Sequence, residues 1–599
     1  MNAVTILIIA LCVYALAYKF YAAFIISKVL AFDKDRQTPA YTLNNGYDYK
    51  PTNKWVLFGH HFAAIAGAGP LVGPVLAAQF GYLPGFLWIL IGAVLAGAVH
   101  DMVVLFMSVR YKGISLTEIA KNEAGRLAGT STGIAVFFII ITALAGLAMV
   151  VVNALAESAW GTFSIAATIP IAVFIGIYME KIRPGRIAEA SIIGVLLLLG
   201  AIIMGEKIAS GPMAGYFLYS KKTISIALAV YGMLASVLPV WLLLAPRDYL
   251  SSYMKVGTIG LLALGIIWVH PQVNFPAFTS FVSGGGPIIP GKVWPYVCIT
   301  IACGAISGFH SLISSGTTPK MIESESEIKF IAYGAMLTEG FVALMALIAA
   351  TALPVGDYFA INVPAEVFDK MGLSITNLPL LSSQVGENLQ GRAGGAVTLA
   401  VGMAQIFSNM PGMRNLLSYW YHFAIMFEAL FILTTIDAGT RVARYITQEA
   451  AGKIYRPLGE INWWPGVMIT SALVSFLWGA MLLAGNVRTI WPMFGVANQL
   501  LSAIALAICT TYIMKRSQKK LYSLITLIPF IFMLVTTFTA GFMNVKDNYL
   551  PMDNTQGYVN VALTVAMLVL AAIISAVSFK DWFNILRFNS VKDSGVNPL

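Results

Sequence analysis

Charge is what this sequence has least of. Its 27 acidic and 37 basic side chains make up 11% of 599 residues, where a soluble globular domain carries about 25%. That is too little to cover a water-facing surface. Cysteine is scarce as well. Cys12, Cys298, Cys303 and Cys509 all lie in apolar runs, and no spacing among them gives a disulfide framework or a zinc site. They read as small buried hydrophobes. No GxxxxGK[ST] sequence occurs, which excludes ATP hydrolysis by that route. A cleavable leader is not expected either: the first apolar segment, 4–30, lacks a basic leader and exceeds the roughly 7–15-residue core of a secretion signal.

Apolar residues fill the space that charge leaves. They amount to 58% of the chain, with a mean hydropathy of +0.79. A helix needs roughly 20 mostly apolar residues to cross about 30 Å of hydrocarbon, and the chain holds about sixteen such runs. They cover 4–30, 56–78, 84–109, 131–158, 162–179, 187–207, 223–245, 254–270, 293–316, 328–352, 395–411, 417–436, 465–484, 489–514, 519–543 and 557–579. An all-α polytopic membrane protein follows. The net charge of +10 would suggest nucleic acid in a soluble protein. Here the basic residues gather in short loops, as the positive-inside rule describes, and no nucleic acid is expected.

Those loops orient the chain. Lys34, Arg36, Lys50 and Lys54 precede the second run, and Arg110, Lys112, Lys121 and Arg126 follow the third. Lys181, Arg183 and Arg186 follow the fifth, Arg247 and Lys255 the seventh. Lys515, Arg516, Lys519 and Lys520 separate two late runs. The N-terminus is expected outside and the C-terminus in the cytoplasm. Lys221 and Lys222 fall on the wrong side. Parity also fails between 353 and 464, where an internal loop carrying Arg441, Arg444, Lys453 and Arg456 requires an odd number of crossings. Either 395–411 is re-entrant or a further span lies there.

Three runs cannot be smooth helices. Dense Gly and Pro free main-chain groups that lipid cannot satisfy, and such breaks are tolerated where they face protein or a wet cavity. The first is GHHFAAIAGAGPLVGP, residues 59–74, where two histidines precede Gly-Ala-Gly-Pro. Amides freed near Gly67 and Gly69 suit a carboxylate. The second is GFHSLISSGTTPK, residues 308–320, whose hydroxyls suit a sodium ion or a polar substrate, or simply cap a helix end. The third is LPVWLLLAPRDYL, residues 238–250, with Pro239 and Trp241 as cavity residues and Arg247–Asp248 as an interfacial pair. Ionisable groups within apolar runs default to functional candidates: His60, His61, His100, Asp101, Glu157, His310 and Glu339. Histidine titrates near neutrality and can carry a coupling proton. Counted from 56–78 as the first core helix, 223–245 is the sixth and 293–316 the eighth. That matches a LeuT-like five-plus-five inverted repeat.

The runs GHHFAAIAGAGPLVGPVLAAQFGYLPG, HDMVVLFMSVRYKGISLTEIAK, APRDYLSSYMK and SGFHSLISSGTTPK closely resemble the carbon starvation protein A family, and WPMFGVANQLLSAIAL resembles its C-terminal region. The resemblance implies an importer of the cytoplasmic (inner) membrane, taking up peptides in some members and pyruvate with protons in others. It also implies membership of the amino acid–polyamine–organocation superfamily, in agreement with the helix count.

A resemblance of this kind gives no substrate site, so the site expectations rest on the residues. Substrate contacts are expected from Gly67, Gly69, His61, Trp241, Ser311 and Ser314. Cation or proton coupling is expected from His60, His61, His310, Ser315, Thr317 and Thr318. The domains are 1–55, an N-terminal accessory helix and loop; 56–411, the transporter core; and 412–599, several C-terminal accessory helices. The expected partners are a small-molecule substrate, peptide or pyruvate, and membrane lipid. No cofactor, metal or catalysis is expected, and proton and sodium both remain open as the coupling ion. A passive channel and a membrane-embedded nutrient sensor are the alternatives.

Overall fold

Inside hydrocarbon every main-chain polar group must be satisfied by its own segment, so apolar runs become helices. The computed structural model describes residues 2–593, except 34, 46–48, 184–185, 240–241, 461–462 and 518. Among them every regular element is helical, apart from an isolated bridge between Asn2 and Gln272.

The chain opens with α1 (Ala3–Leu30). A broken span follows, α2 (Lys54–Ile65) and α3 (Gly69–Ala77). Next come α4 (Tyr82–Arg110), α5 (Leu116–Leu155), α6 (Ala159–Ile182) and α7 (Ile187–Ala209). Then follow α8 (Lys221–Val237), α9 (Leu244–Val269) and a second broken run, α10 (Val293–Thr300) with α11 (Gly308–Ser314). α12 (Glu325–Thr351) leads to the short buried α13 (Val355–Asn362) and α14 (Ala396–Ser408). The last elements are α15 (Leu417–Gly452), α16 (Trp464–Ala484), α17 (Val487–Arg516), α18 (Lys520–Met552) and α19 (Thr555–Arg587). The centre of the molecule is α5, packed on α15 and α17, and the apolar stretch of α17 is wholly buried.

About sixteen spans are expected from the sequence, and the structure bears out a many-helix membrane protein. Among the described residues, eleven helices are long and apolar enough to cross a membrane, and the bent pair α2–α3 makes twelve. The other four runs take different forms among the described residues. α8 has 17 residues and stops before Pro239. α9 has 26 residues, Leu244–Val269, and carries Arg247 and Lys255 in its first half. Residues 293–314 divide after Thr300: Ile301 leaves the helical region at φ −96°, ψ 62°, and Gly304 follows at φ +88°. With 13 residues, α14 is about 20 Å long at 1.5 Å per residue.

Two readings of charge are corrected. Arg247 and Lys255, taken as loop charges, lie within α9 and are 0% and 1% exposed. Arg441 and Arg444, assigned to a loop after 436, are buried residues of α15, which continues to Gly452. Each has an interior role that apolar counting does not reveal. Arg247 lies 3.3 Å from the Asp437 carboxylate and donates to Thr168 Oγ1 at 3.0 Å. Arg441 donates to the carbonyls of Ala235 and Leu238 at 2.7 and 2.6 Å, at the end of α8.

Candidate functional site

Pro70 decides where the first span breaks. It has no N–H, and its ring would clash with the carbonyl of Ala66, four residues back. α2 accordingly ends at Ile65, Ala66 leaves the helical region at φ −75°, ψ 75°, and α3 departs at 46°. Gly67 donates its amide to the Ile65 carbonyl at 2.8 Å. The amide of Gly69, in the first turn of α3, has no acceptor within its helix.

The break between α10 and α11 crosses this one. A Cβ on Gly69 would lie 2.4 Å from Cys303 Cβ, and one on Gly73 would lie 2.5 Å from the Thr300 carbonyl oxygen. Gly304, with φ +88°, packs on Ala343 so closely that a Cβ would approach it to 2.6 Å. The segment that meets the first break is therefore 293–314, the eighth core helix by count.

Where the two breaks meet there is a small cavity of about 30 Å³. Gly67, Gly69, Cys303, Phe309, Thr435 and Phe494 contribute to its wall, which is almost entirely apolar. α15 and α17, which lie beyond the core boundary expected at 411, thus supply part of the wall.

Beside Cys303 lies a buried set of charged groups. His310 Nδ1 is 2.8 Å from Asp101 Oδ2, and His310 Nε2 is 3.0 Å from Glu339 Oε2. His100 Nδ1 is 2.7 Å from the other Asp101 oxygen. All four side chains are 0% exposed. Their helices explain the meeting: α4 brings His100 and Asp101, α12 brings Glu339, and α11 brings His310 between them. An imidazole with a carboxylate on each ring nitrogen can hold a proton away from water, and the group titrates as a unit. Cys303, His310 and Glu339 each offer a metal-ligand atom within 4.8 Å of one another. Both ring nitrogens of His310 already face carboxylates, so the set is better matched to a proton than to a metal ion.

The other expected residues divide into two groups. His61 is buried, with Nδ1 2.8 Å from Thr318 Oγ1. His60 is exposed, its Nε2 3.4 Å from Thr317 Oγ1. Ser311 Oγ donates to the Gly308 carbonyl and Ser315 Oγ to that of Ser311, each at 2.6 Å, so both hydroxyls are engaged within their own turn. Ser314 Oγ is buried without a partner among the described residues. Gly67 and Gly69 line the cavity; the hydroxyls of residues 311–318 do not. Trp241 lies outside the described residues.

Sequence reasoning passed over Lys255, Cys303 and Thr435. Lys255 Nζ donates to the carbonyls of Ala63 and Ala66 at 2.8 and 3.1 Å, at the end of α2. Its only signal is a lone charge ahead of an apolar run. Cys303 and Thr435 carry no local signal.

A strap at 386–395 covers the end of α5. Arg392 donates to Glu387 at 2.8 Å and to the carbonyls of Ala154 and Ala156 at 2.8 and 2.7 Å. Glu387 also meets His422 Nε2 at 3.2 Å and accepts from Ser158 Oγ. Burial alone would raise the Glu387 carboxyl. The hydrogen bond and charge of His422, the Arg392 guanidinium and the Ser158 hydroxyl outweigh burial and hold it below its ordinary 4.5.

Among solved structures, a manganese transporter from Eremococcus coleocola aligns with a TM-score of 0.44 and 13% identity over 88% of this chain and 94% of that one, too distant to carry weight. A peptide transporter CstA from Bacillus subtilis (strain 168) is 51% identical over 594 residues, 99% of either chain. A pyruvate/proton symporter BtsT from Escherichia coli (strain K12) is 45% identical over 589 residues, covering 90% of this chain and 81% of that protein. The family model for carbon starvation protein CstA matches residues 2–540. With nine-tenths of the chain matched by that model and whole-length relatives at about half identity, the chain belongs to the carbon starvation protein CstA family.

Proposed function

We propose that this chain is a secondary active importer of small carboxylates, peptides or pyruvate, working by alternating access with a proton as the coupling ion. One observation carries the reading: a small apolar cavity at the crossing of two broken helices adjoins, through Cys303, a histidine held between two buried carboxylates. The substrate carboxylate lies at the Gly69 amide, the positive end of α3. His310, with Asp101 and Glu339, holds the coupling proton; His61 and Thr318 form the next polar pair along α2. Ser314 offers the free hydroxyl of its cluster. The core is read as a LeuT-like inverted repeat, with 54–80 and 293–314 as its two broken helices, and the crossing at Gly69 and Gly73 supports that reading. The membrane is the cytoplasmic one, with the N-terminus outside.

The test is uptake of labelled pyruvate by proteoliposomes under an inward proton gradient, without sodium, with dipeptides assayed in parallel. Accumulation that collapses with a protonophore supports proton symport. Equilibration without accumulation would favour a channel, and binding without uptake a sensor.

A further inference from the structure

The end of α2 is a seat for a cation. A helix C-terminus carries about half a negative charge in its unsatisfied carbonyls, and at broken transporter helices such carbonyls coordinate the coupling cation. Here that place is already filled. Lys255 Nζ lies 2.8 Å from the Ala63 carbonyl oxygen and 3.1 Å from that of Ala66, and 4.2 Å from the centre of the Phe431 ring. Its residue is 1% exposed. An ammonium is a compact charge with three donors, the form best able to imitate a small metal ion. Its surroundings on α9 fit the same purpose. Ser251 and Thr258 lie one turn to either side of Lys255 on the same helix face. Their hydroxyls are buried and make no hydrogen bond among the described residues. Oxygen atoms of carbonyl and hydroxyl type are what a hard cation such as sodium selects.

We propose that Lys255 is a built-in cation. Its ammonium occupies the seat at the end of the first half-helix that a sodium ion would otherwise take, fixing the break beside the cavity and freeing the protein from sodium. The transport part of this proposal rests on the importer reading above; the seat itself does not. Lys255 is a positioning residue, since it touches α2 and not the cavity wall.

Two readouts test it. Thermal unfolding of the purified protein is followed in sodium chloride and in N-methylglucamine chloride, for the wild type and for Lys255→Ala. The wild type should unfold at the same temperature in both salts. Lys255→Ala should be gained back by sodium alone, with Tm raised by about 2 °C or more, because the vacated seat binds the ion in the folded state only. Proteoliposome uptake should be indifferent to sodium in the wild type and should become sodium-dependent in Lys255→Ala. Lys255→Arg, which keeps the charge, should stay indifferent to sodium. A Tm of Lys255→Ala that ignores sodium overturns the proposal. If that variant does not fold, the wild type still decides, because sodium stabilisation of the wild type or sodium stimulation of its uptake overturns it. Sodium-indifferent wild-type unfolding with no carboxylate uptake at all would sink the importer reading and leave the seat standing.

Discussion

His310 stands with Nδ1 2.8 Å from Asp101 Oδ2, and its other ring nitrogen faces Glu339 at 3.0 Å. Neither carboxylate is reached by water in this arrangement, so a charge change at one is felt fully by the other two groups. Asp101→Asn and Glu339→Gln keep shape and remove charge. Each should lower proton-driven accumulation by about tenfold or more, the size of one charged hydrogen bond. Exchange of labelled for unlabelled substrate, which needs no net proton movement, should persist in these variants. Measuring both in the same vesicles checks the assignment; loss of exchange to the same extent would mean a structural role.

The histidines rank differently by position. His310→Ala should abolish accumulation, and His61→Ala should reduce it, since His61 is buried against Thr318. His60→Ala should leave uptake within about twofold, because an exposed contact of 3.4 Å is a weak one. Initial rates at saturating substrate distinguish the three.

Gly67 and Gly73 should respond to a methyl in opposite ways. At Gly73 the added Cβ meets the Thr300 carbonyl at 2.5 Å, a main-chain atom that cannot swing aside. Gly73→Ala should cost about 1–3 kcal/mol, read as a lowered Tm. At Gly67 the nearest atom is Thr435 Oγ1, 3.2 Å away on the cavity wall. Gly67→Ala should fold with little change in Tm and raise KM for the carried carboxylate.

Acid should loosen the strap at 386–395. Glu387 is held below its ordinary 4.5 in the folded protein, so its contribution to stability is complete above that value. It is lost as pH falls below 4.5 through the folded-state value. Glu387→Gln should remove that part of the acid-induced fall in Tm. Arg392→Ala, which leaves a buried carboxylate short of its partner, should cost about 3 kcal/mol at neutral pH. Thermal unfolding across an acid pH series checks both.

What could be read beforehand follows from how local each signal is. The break at Gly67–Pro70 needs no partner to explain it, because a proline ring against the Ala66 carbonyl is a matter of five residues. His310, Asp101 and Glu339 stood out as ionisable groups in apolar runs, yet their meeting depends on three helices distant in sequence. Which glycines of the two broken segments face each other is likewise not a local property. Lys255 was taken for an interfacial charge because counting apolar residues registers where a run starts and not which carbonyls lie opposite. Counting by composition is blind to a main-chain break such as the one between Thr300 and Gly308.

The crossing of Gly69 and Gly73 over Cys303 and Thr300 has a mechanical consequence. Helices usually interlock as ridges in grooves, and turning one against the other means lifting side chains out of place. Here Gly69 and Gly73 bring the main chain of α3 directly onto Cys303 and Thr300, so the separation of the two broken segments is set by main-chain and Cβ atoms and leaves no room for a larger side chain at either glycine.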